Sequence, residues 1–211
     1  MNNLKIKVCG ITRTQDAKSA VKHGVDLLGF IFYKKSSRFI SVLKAQEILK
    51  TISPTILRVG VFVNEDKNKV LNIAKKLQLD FIQLSGNENK TDISFCQKNG
   101  FKVIKTIHVF SKSDILKVKN CEADIIHLDR ADKELYGGSG KQFDWDVKLP
   151  KSIKNLMLAG GINSENVLEG TKKFKPLIVD VNSGVEYKPG FKSDKLLHEF
   201  FEKVNRLRYG K

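Results

Sequence analysis

A change of apolar period that repeats from one end of the chain to the other limits its possible folds more than any other feature. Short runs rich in Phe and β-branched residues fall at 6–9, 27–32, 59–63, 81–84, 103–107, 125–128, 156–158 and 178–181. Each is a predicted strand. Most lack polar alternation, as strands covered on both faces do, so the sheet is expected to be parallel. Between the runs the spacing turns helical. Ala17, Ala20 and Val21 follow Thr12, which forms a capping box with Gln15, and Ala45, Ile48, Leu49 and Ile52 follow an N-cap at Ser41. Val70, Leu71, Ala74 and Leu77 make a third stripe, Val167, Leu168 and Thr171 a weaker one after Asn163, and Leu196, Leu197, Phe200, Val204 and Leu207 a last one behind Ser193. Residues 91–100 are a poor helix by pattern, and the helical segment at 111–119 is short. Alternation without a long linker predicts an α/β chain, a closed (β/α)₈ TIM barrel, with residues 1–211 as a single domain.

The composition, 41% hydrophobic and 29% charged with 15 Gly and 4 Pro in 211 residues, excludes collagenous, disordered and low-complexity classes. No uncharged apolar run reaches about 18 residues. The first residues carry lysine and pass directly into a strand, so a cytoplasmic protein without a membrane partner is expected. Cys9, Cys96 and Cys121 are an odd number without CxxC spacing, and His23, His108, His127 and His198 show no paired ligand spacing. Neither a disulfide framework nor a metal site is expected. The net charge of +15 would draw any polyanion, but the lysines are spread along the chain and not interleaved with aromatics. A specific nucleic-acid partner is therefore not expected, and a phosphorylated small molecule suits the charge equally well.

A barrel keeps its chemistry at the C-terminal ends of its strands. Reading just past each run gives Cys9-Gly10-Ile11-Thr12, residues 33–38, Asn64, Gln83, Asp129-Arg130, Gly160-Gly161 and Asn182-Ser183-Gly184, all expected on one rim. Gly137-Gly138-Ser139-Gly140, Gly160-Gly161 and Ser183-Gly184 bring glycines to one corner of that rim. Glycines there either serve tight turns or expose backbone N–H groups to an anion such as phosphate. Cys9 reads either as a small buried apolar residue or, beside Gly10 and a helix start, as a thiol whose pKa nearby amides lower, fit to act as base or nucleophile. Asp129, behind Ile125, Ile126 and Leu128, is either a cap or loop ion pair or a carboxyl raised by apolar surroundings and suited to general-acid work. Cys96 and Cys121 read as structural or surface thiols.

Taken together, Lys7-Val8-Cys9-Gly10-Ile11-Thr12, Gly29-Phe30-Ile31-Phe32 with Ser36-Ser37-Arg38, Val59-Gly60-Val61-Phe62-Val63-Asn64, Gln83-Leu84-Ser85-Gly86, Leu128-Asp129, Gly137-Gly138-Ser139-Gly140 with Phe143-Asp144-Trp145, Gly160-Gly161-Ile162, and Asp180-Val181-Asn182-Ser183-Gly184-Val185-Glu186 with Pro189-Gly190 resemble the phosphoribosylanthranilate isomerase family. The blocks keep family order and spacing from about Lys5 to Asp194. The resemblance implies a (β/α)₈ barrel that converts N-(5′-phosphoribosyl)anthranilate to 1-(2-carboxyphenylamino)-1-deoxyribulose 5-phosphate, an Amadori rearrangement in tryptophan biosynthesis. It implies Asp129 as the general acid on the furanose ring oxygen and Cys9 as the base that takes the C2′ proton. Arg38, Gln83 and Asp180 would bind substrate, with Arg38 on the anthranilate carboxylate. Gly138, Ser139, Gly140, Gly160, Gly161, Asn182, Ser183 and Gly184 would hold the phosphate. No cofactor is implied, because the substrate's own amine supplies the iminium electron sink, and the oligomer is expected to be a monomer or homodimer. Three positions depart from the family pattern: Ser85 stands where His is usual, Ser37 where Pro is frequent, and Asn182 where Ser is usual beside the phosphate. Other readings are another phosphosugar barrel enzyme, such as an indole-glycerol-phosphate synthase or a histidine-pathway isomerase, and a basic nucleic-acid-binding barrel. The first two would bring a Lys and Glu pair or two opposed Asp residues, whereas Cys9 stands at the end of the first strand here.

Overall fold

The computed structural model describes residues 4–129, 149–150, 153 and 155–210. Eight strands, β1 (Lys5–Val8), β2 (Leu27–Ile31), β3 (Leu57–Phe62), β4 (Phe81–Leu84), β5 (Lys102–His108), β6 (Ile125–Asp129), β7 (Leu156–Leu158) and β8 (Ile178–Val181), pair in parallel in chain order. β8 then returns to β1 in the register Lys7 opposite Asp180, closing the barrel. All the expected apolar runs became strands.

Strand alternation divides the core in two. Ile6, Val8, Leu28 and Phe30 point outward and pack with Ala17, Ala20, Ile48 and Phe200 of the surrounding helices. Cys9, Leu27, Val59, Phe81, Ile104, Ile125, Met157 and Ile178 form a separate cluster inside the barrel.

The helices are α1 (Thr14–Lys22), α2 (Val42–Leu49), α3 (Lys67–Leu77), α4 (Lys90–Lys98), α5 (Val167–Phe174) and α6 (Asp194–Tyr209), with a 3₁₀ segment at Lys112–Asn120. Ser41 and Ser193 cap α2 and α6 as expected, accepting from the N–H groups of Lys44 and Leu196. The start of α1 differs from the expectation. Arg13, without a side-chain cap bond, precedes the helix, because the Thr12 hydroxyl donates to the Gly190 carbonyl. Residues 91–100, unconvincing by apolar pattern, lie largely in α4, which a reciprocal capping box between Asn89 and Asp92 starts and only Ile93 and Cys96 bury. In α5 Val167 and Thr171 are buried, but Leu168 is exposed. Asn163 caps the turn before α5, accepting from the N–H groups of Glu165 and Asn166.

An antiparallel hairpin, β9 (Glu186–Lys188) and β10 (Phe191–Lys192), follows β8 and sets Glu186 opposite Lys192. Its turn needs Gly190, whose φ is 80°. Among the described residues no helix is long and apolar enough to cross a membrane.

Candidate active site

Because side chains alternate along a strand, a rim residue has its inward-facing neighbour two positions earlier. The barrel uses this repeatedly: Lys7 lies beneath Cys9, Gln83 beneath Ser85, Thr106 beneath His108, His127 beneath Asp129 and Asp180 beneath Asn182. The result is a polar layer inside the barrel under the C-terminal mouth. Lys7, Gln83, Thr106, His127 and Asp180 are all buried. Buried polar groups of this kind are costly unless paired, and most of these are.

Lys7 Nζ meets Asp180 Oδ2 at 2.6 Å. Asp180 Oδ2 also lies 3.2 Å from His127 Nε2. On the ring's other side, Thr106 Oγ1 lies 2.9 Å and the Gln83 amide nitrogen 3.4 Å from His127 Nδ1. Gln83 also donates to Ser85 Oγ at 3.1 Å, and Ser85 and Thr106 share a 2.7 Å hydroxyl bond. Gln83 therefore stands within β4, under the rim and not past it, and Ser85 is drawn into the same network.

Cys9 is 5% exposed, yet its neighbours are not only aliphatic. Burial pushes the thiol above its ordinary pKa, against the pull of the nearby Lys7 ammonium and of Lys192. The expectation that amides of a helix start would lower this pKa is corrected: α1 begins five residues later, and lysines supply the favourable charge. Gly29 on the adjoining strand makes the room. A Cβ there would stand 2.7 Å from Cys9 Sγ and 3.1 Å from Lys7 Cε. Asp129 fits the expectation: burial raises its carboxyl pKa, with His127 and His108 opposing. Asp180 goes the other way, since Lys7 and His127 outweigh its burial and hold it below the ordinary carboxylate value. One barrel mouth thus presents a carboxyl inclined to keep its proton and, from β1, a sulfur beside an ammonium. β1 and β6 are separated by β7 and β8 in the closed order, so the two groups address a bound molecule from different sides.

Arg38, after β2, is 7% exposed and already ion-paired. Its Nε lies 3.0 Å from both Glu186 carboxylate oxygens and its Nη2 2.7 Å from Oε2. Asn182 Oδ1 accepts from Lys192 Nζ at 2.8 Å. A Cβ on Gly10, whose φ is 72°, would lie 2.7 Å from that Asn182 oxygen and 2.9 Å from Arg38 Cδ, so glycine there lets both side chains close over the end of β1. At the glycine corner, Gly160 and Gly161 take φ of 83° and 71°. Gly184 packs so tightly on the Ile162 carbonyl that no side chain fits, which brings the loops after β7 and β8 together. Among the described residues the N–H groups of Gly160, Gly161, Ser183 and Gly184 donate to no backbone carbonyl. Gly138, Ser139 and Gly140 lie outside the described residues.

Lys7, Thr106, His108, His127, Glu186 and Lys192 had been given no role from sequence. A signal existed for four of them: a polar residue inside an apolar strand, two before a rim residue, or the rim residue itself. Glu186 and Lys192 depend on a hairpin that no apolar pattern announced. Cys96 is buried, with its thiol pushed up to about 11 by burial, and stands apart from this site. Among the described residues no group of three or more His, Cys, Asp or Glu is arranged to hold a metal ion.

A closed eight-stranded parallel barrel whose mouth carries a raised carboxyl, a buried thiol and, among the described residues, glycine amides without a backbone carbonyl partner places the chain in the class of (β/α)₈ barrel enzymes. Comparison narrows the class. Residues 6–203 match the family model described as N-(5′-phosphoribosyl)anthranilate (PRA) isomerase, and the chain belongs to that family. It is 40% identical over 208 residues to the N-(5′-phosphoribosyl)anthranilate isomerase of Thermotoga neapolitana, covering 97% of this chain and 100% of that one. The Clostridium acetobutylicum enzyme is 37% identical with the same coverage. Among solved structures, the isomerase of Thermotoga maritima superposes with a TM-score of 0.87 at 39% identity, over 96% of this chain and 98% of that one. A phosphoribosyl anthranilate isomerase in complex with reduced 1-(o-carboxyphenylamino)-1-deoxyribulose 5-phosphate gives 0.84 at 37% identity, with the same coverage.

Proposed function

We propose that this isomerase, a single barrel domain over 1–211 working in the cytoplasm, rearranges N-(5′-phosphoribosyl)anthranilate with Asp129 as acid and Cys9 as base. Asp129 protonates the furanose ring oxygen as the C1′–O bond breaks, and the anthranilate nitrogen takes up the resulting positive charge as an iminium. Cys9, as thiolate, removes the C2′ proton, and the electrons of that C–H bond flow to the iminium nitrogen. The enolamine formed then tautomerises to the ketone. What carries the reading is the placement of the two groups: burial favours the protonated carboxyl at Asp129, and across the mouth the Lys7 ammonium, itself held charged by Asp180, lies beneath Cys9, where it opposes the burial that raises the thiol and offers charge to a thiolate formed in the reaction.

Arg38 holds the anthranilate carboxylate, and the backbone amides of Gly160, Gly161, Ser183 and Gly184 hold the phosphate; Asn182, Gly138, Ser139 and Gly140 are the further phosphate residues that the family resemblance implies. Gln83 and Asp180 form the floor beneath the sugar. The complex of a relative with reduced 1-(o-carboxyphenylamino)-1-deoxyribulose 5-phosphate supports a ligand that carries both a carboxylate and a phosphate. The oligomer is a monomer or a homodimer, and the dimeric enzyme of Thermotoga maritima, 37% identical here, favours the latter.

The test is to generate phosphoribosylanthranilate in situ and follow the decay of its fluorescence. The parent protein should consume it, and Cys9→Ala should cut kcat by roughly 100-fold or more with little change in KM, as for a lost general base. A parent protein without turnover sinks the activity; a fully active Cys9→Ala sinks only the base assignment.

A further inference from the structure

The carboxylate clamp proposed at Arg38 has an unusual feature: its guanidinium already carries a carboxylate. Glu186 takes the edge formed by Nε and Nη2, with contacts of 3.0, 3.0 and 2.7 Å. A guanidinium has five N–H donors in a fixed planar fork. The side-on edge is filled, and among the described residues Nη1 makes no hydrogen bond. The end-on edge, Nη1 with the second N–H of Nη2, is left to receive another carboxylate through two parallel bonds.

Glu186 is itself immobilised. Lys192 Nζ donates to its Oε1 at 2.9 Å and the Gly190 N–H at 3.1 Å. Lys192 is in turn fixed on Asn182, through Oδ1 at 2.8 Å and the carbonyl at 3.1 Å. Both Glu186 and Lys192 sit on the β9–β10 hairpin, in register with one another. In this buried cluster Arg38 and Lys192 share the single Glu186 carboxylate, and burial lowers the Lys192 pKa against the pull of Glu186, so the lasting charge open to an incoming carboxylate is the Arg38 guanidinium. The contact of the Gly10 position with Arg38 Cδ keeps the cluster one residue from Cys9.

We propose that Glu186 is a positioning residue for substrate recognition: it holds Arg38 by its side-on edge so that the end-on edge receives the aromatic carboxylate, making the hairpin a determinant of specificity for an ortho-carboxylated amine. This rests on the assignment of Arg38 to the anthranilate carboxylate. The carboxylate of Glu186 stays ionised for the task, because Arg38 and Lys192 together outweigh its burial and keep its pKa below the ordinary value. A long, flexible Arg without such a partner would lose rotamer freedom on binding, and pre-organisation removes that cost from the binding step.

The experiment compares two ligands by titration calorimetry: reduced 1-(o-carboxyphenylamino)-1-deoxyribulose 5-phosphate and its phenylamino counterpart without the ring carboxylate. The parent protein should prefer the carboxylated ligand, and Arg38→Lys should lose most of that preference. Glu186→Gln should weaken the carboxylated ligand about tenfold or more, the size of a charged hydrogen bond, while the phenylamino ligand stays within about twofold. Its KM should rise while kcat changes little, since the clamp acts alike on ground and transition states. Because Glu186→Gln leaves Arg38 and Lys192 without their shared carboxylate, Glu186→Gln with Lys192→Met removes the second unpaired group and should show the same lost preference in a folded protein. Equal weakening of both ligands, or of neither, overturns the role of Glu186. A parent protein that binds both ligands alike, or an Arg38→Lys variant that keeps the preference, overturns the Arg38 clamp itself.

Discussion

The two halves of the barrel mouth obey the same alternation and have opposite chemistry. On the side of β8, β1 and β2 the polar residues are ions in contact: Lys7 with Asp180, Arg38 with Glu186, and Glu186 with Lys192. On the side of β4, β5 and β6 the inward-facing residues Gln83, Ser85, Thr106 and His127 are joined by hydrogen bonds, and the buried ion pair there, Lys105 with Glu88, stems from the outward-facing position between Ile104 and Thr106 of β5. The 3.2 Å approach of His127 to Asp180 is where the halves touch. The difference matches the task of each side. A thiolate and an incoming carboxylate need fixed positive charge near them, whereas a carboxyl that must arrive protonated needs few charges and little water. Asp129 sits on the hydrogen-bonded half and Cys9 on the ion-paired one.

If this division is the basis of catalysis, the largest loss belongs to the acid. Asp129→Asn keeps the shape and removes the transferable proton, so kcat should fall by roughly 10²- to 10⁴-fold with KM little altered, measured by the fluorescence assay. Turnover near that of the parent would show that the hydrogen-bonded half does not donate the proton.

Lys7→Met strikes the charged half. It leaves Asp180 as an uncompensated buried carboxylate, and breaking such a pair costs about 3–5 kcal/mol, readable in chemical denaturation. It also removes the ammonium that favours the thiolate, so the Cys9 thiol should titrate at still higher pH, followed by the rate of alkylation against pH. An unchanged titration would mean that the sulfur does not sense Lys7.

His127→Leu tests the hydrogen-bonded half more gently. Thr106 and Gln83 lose a buried partner, at about 1–3 kcal/mol. His127 lowers the pKa of Asp129, so without it the carboxyl keeps its proton to higher pH. The limb of the kcat/KM profile that disappears in Asp129→Asn should therefore move upward in pH; a downward shift would refute the assigned sign.

The smallest effect is expected outside both halves. Asp66 caps α3, accepting from the N–H groups of Asn68 and Lys69 at 3.0 Å each. Asp66→Ala should cost about 1 kcal/mol of stability and leave kcat and KM as they were. A kinetic change from this variant would mean that the mouth responds to general loosening of the helical shell.

Much of this arrangement was legible before folding. Strand positions could be read because continuous apolar runs and helical stripes differ in period, and rim residues because a strand ends where its apolar run ends. Cys9 and Asp129 stood out in this way, and the raised carboxyl followed from the apolar residues before it. α4 was obscure because its start rests on the Asn89–Asp92 box, a local hydrogen-bond device that apolar periodicity does not register. Gln83 was set on the rim because its side chain is polar, although a barrel with a polar interior layer buries such a residue.

The sequence by itself determined the alternation of elements, the inward or outward direction of each strand residue, and the spacing by two that seats Lys7, His127 and Asp180 under rim residues. These depend on backbone geometry, which is local. Only the tertiary structure decided which of those residues meet. Lys7 and Asp180 are 173 positions apart and become partners because β8 closes on β1, and Arg38 finds Glu186, 148 positions away, because a hairpin folds back over the barrel mouth. The thiol's pKa followed from the same closure. Electrostatic energy depends on separation in space and on the exclusion of water, and neither is set until the barrel has closed.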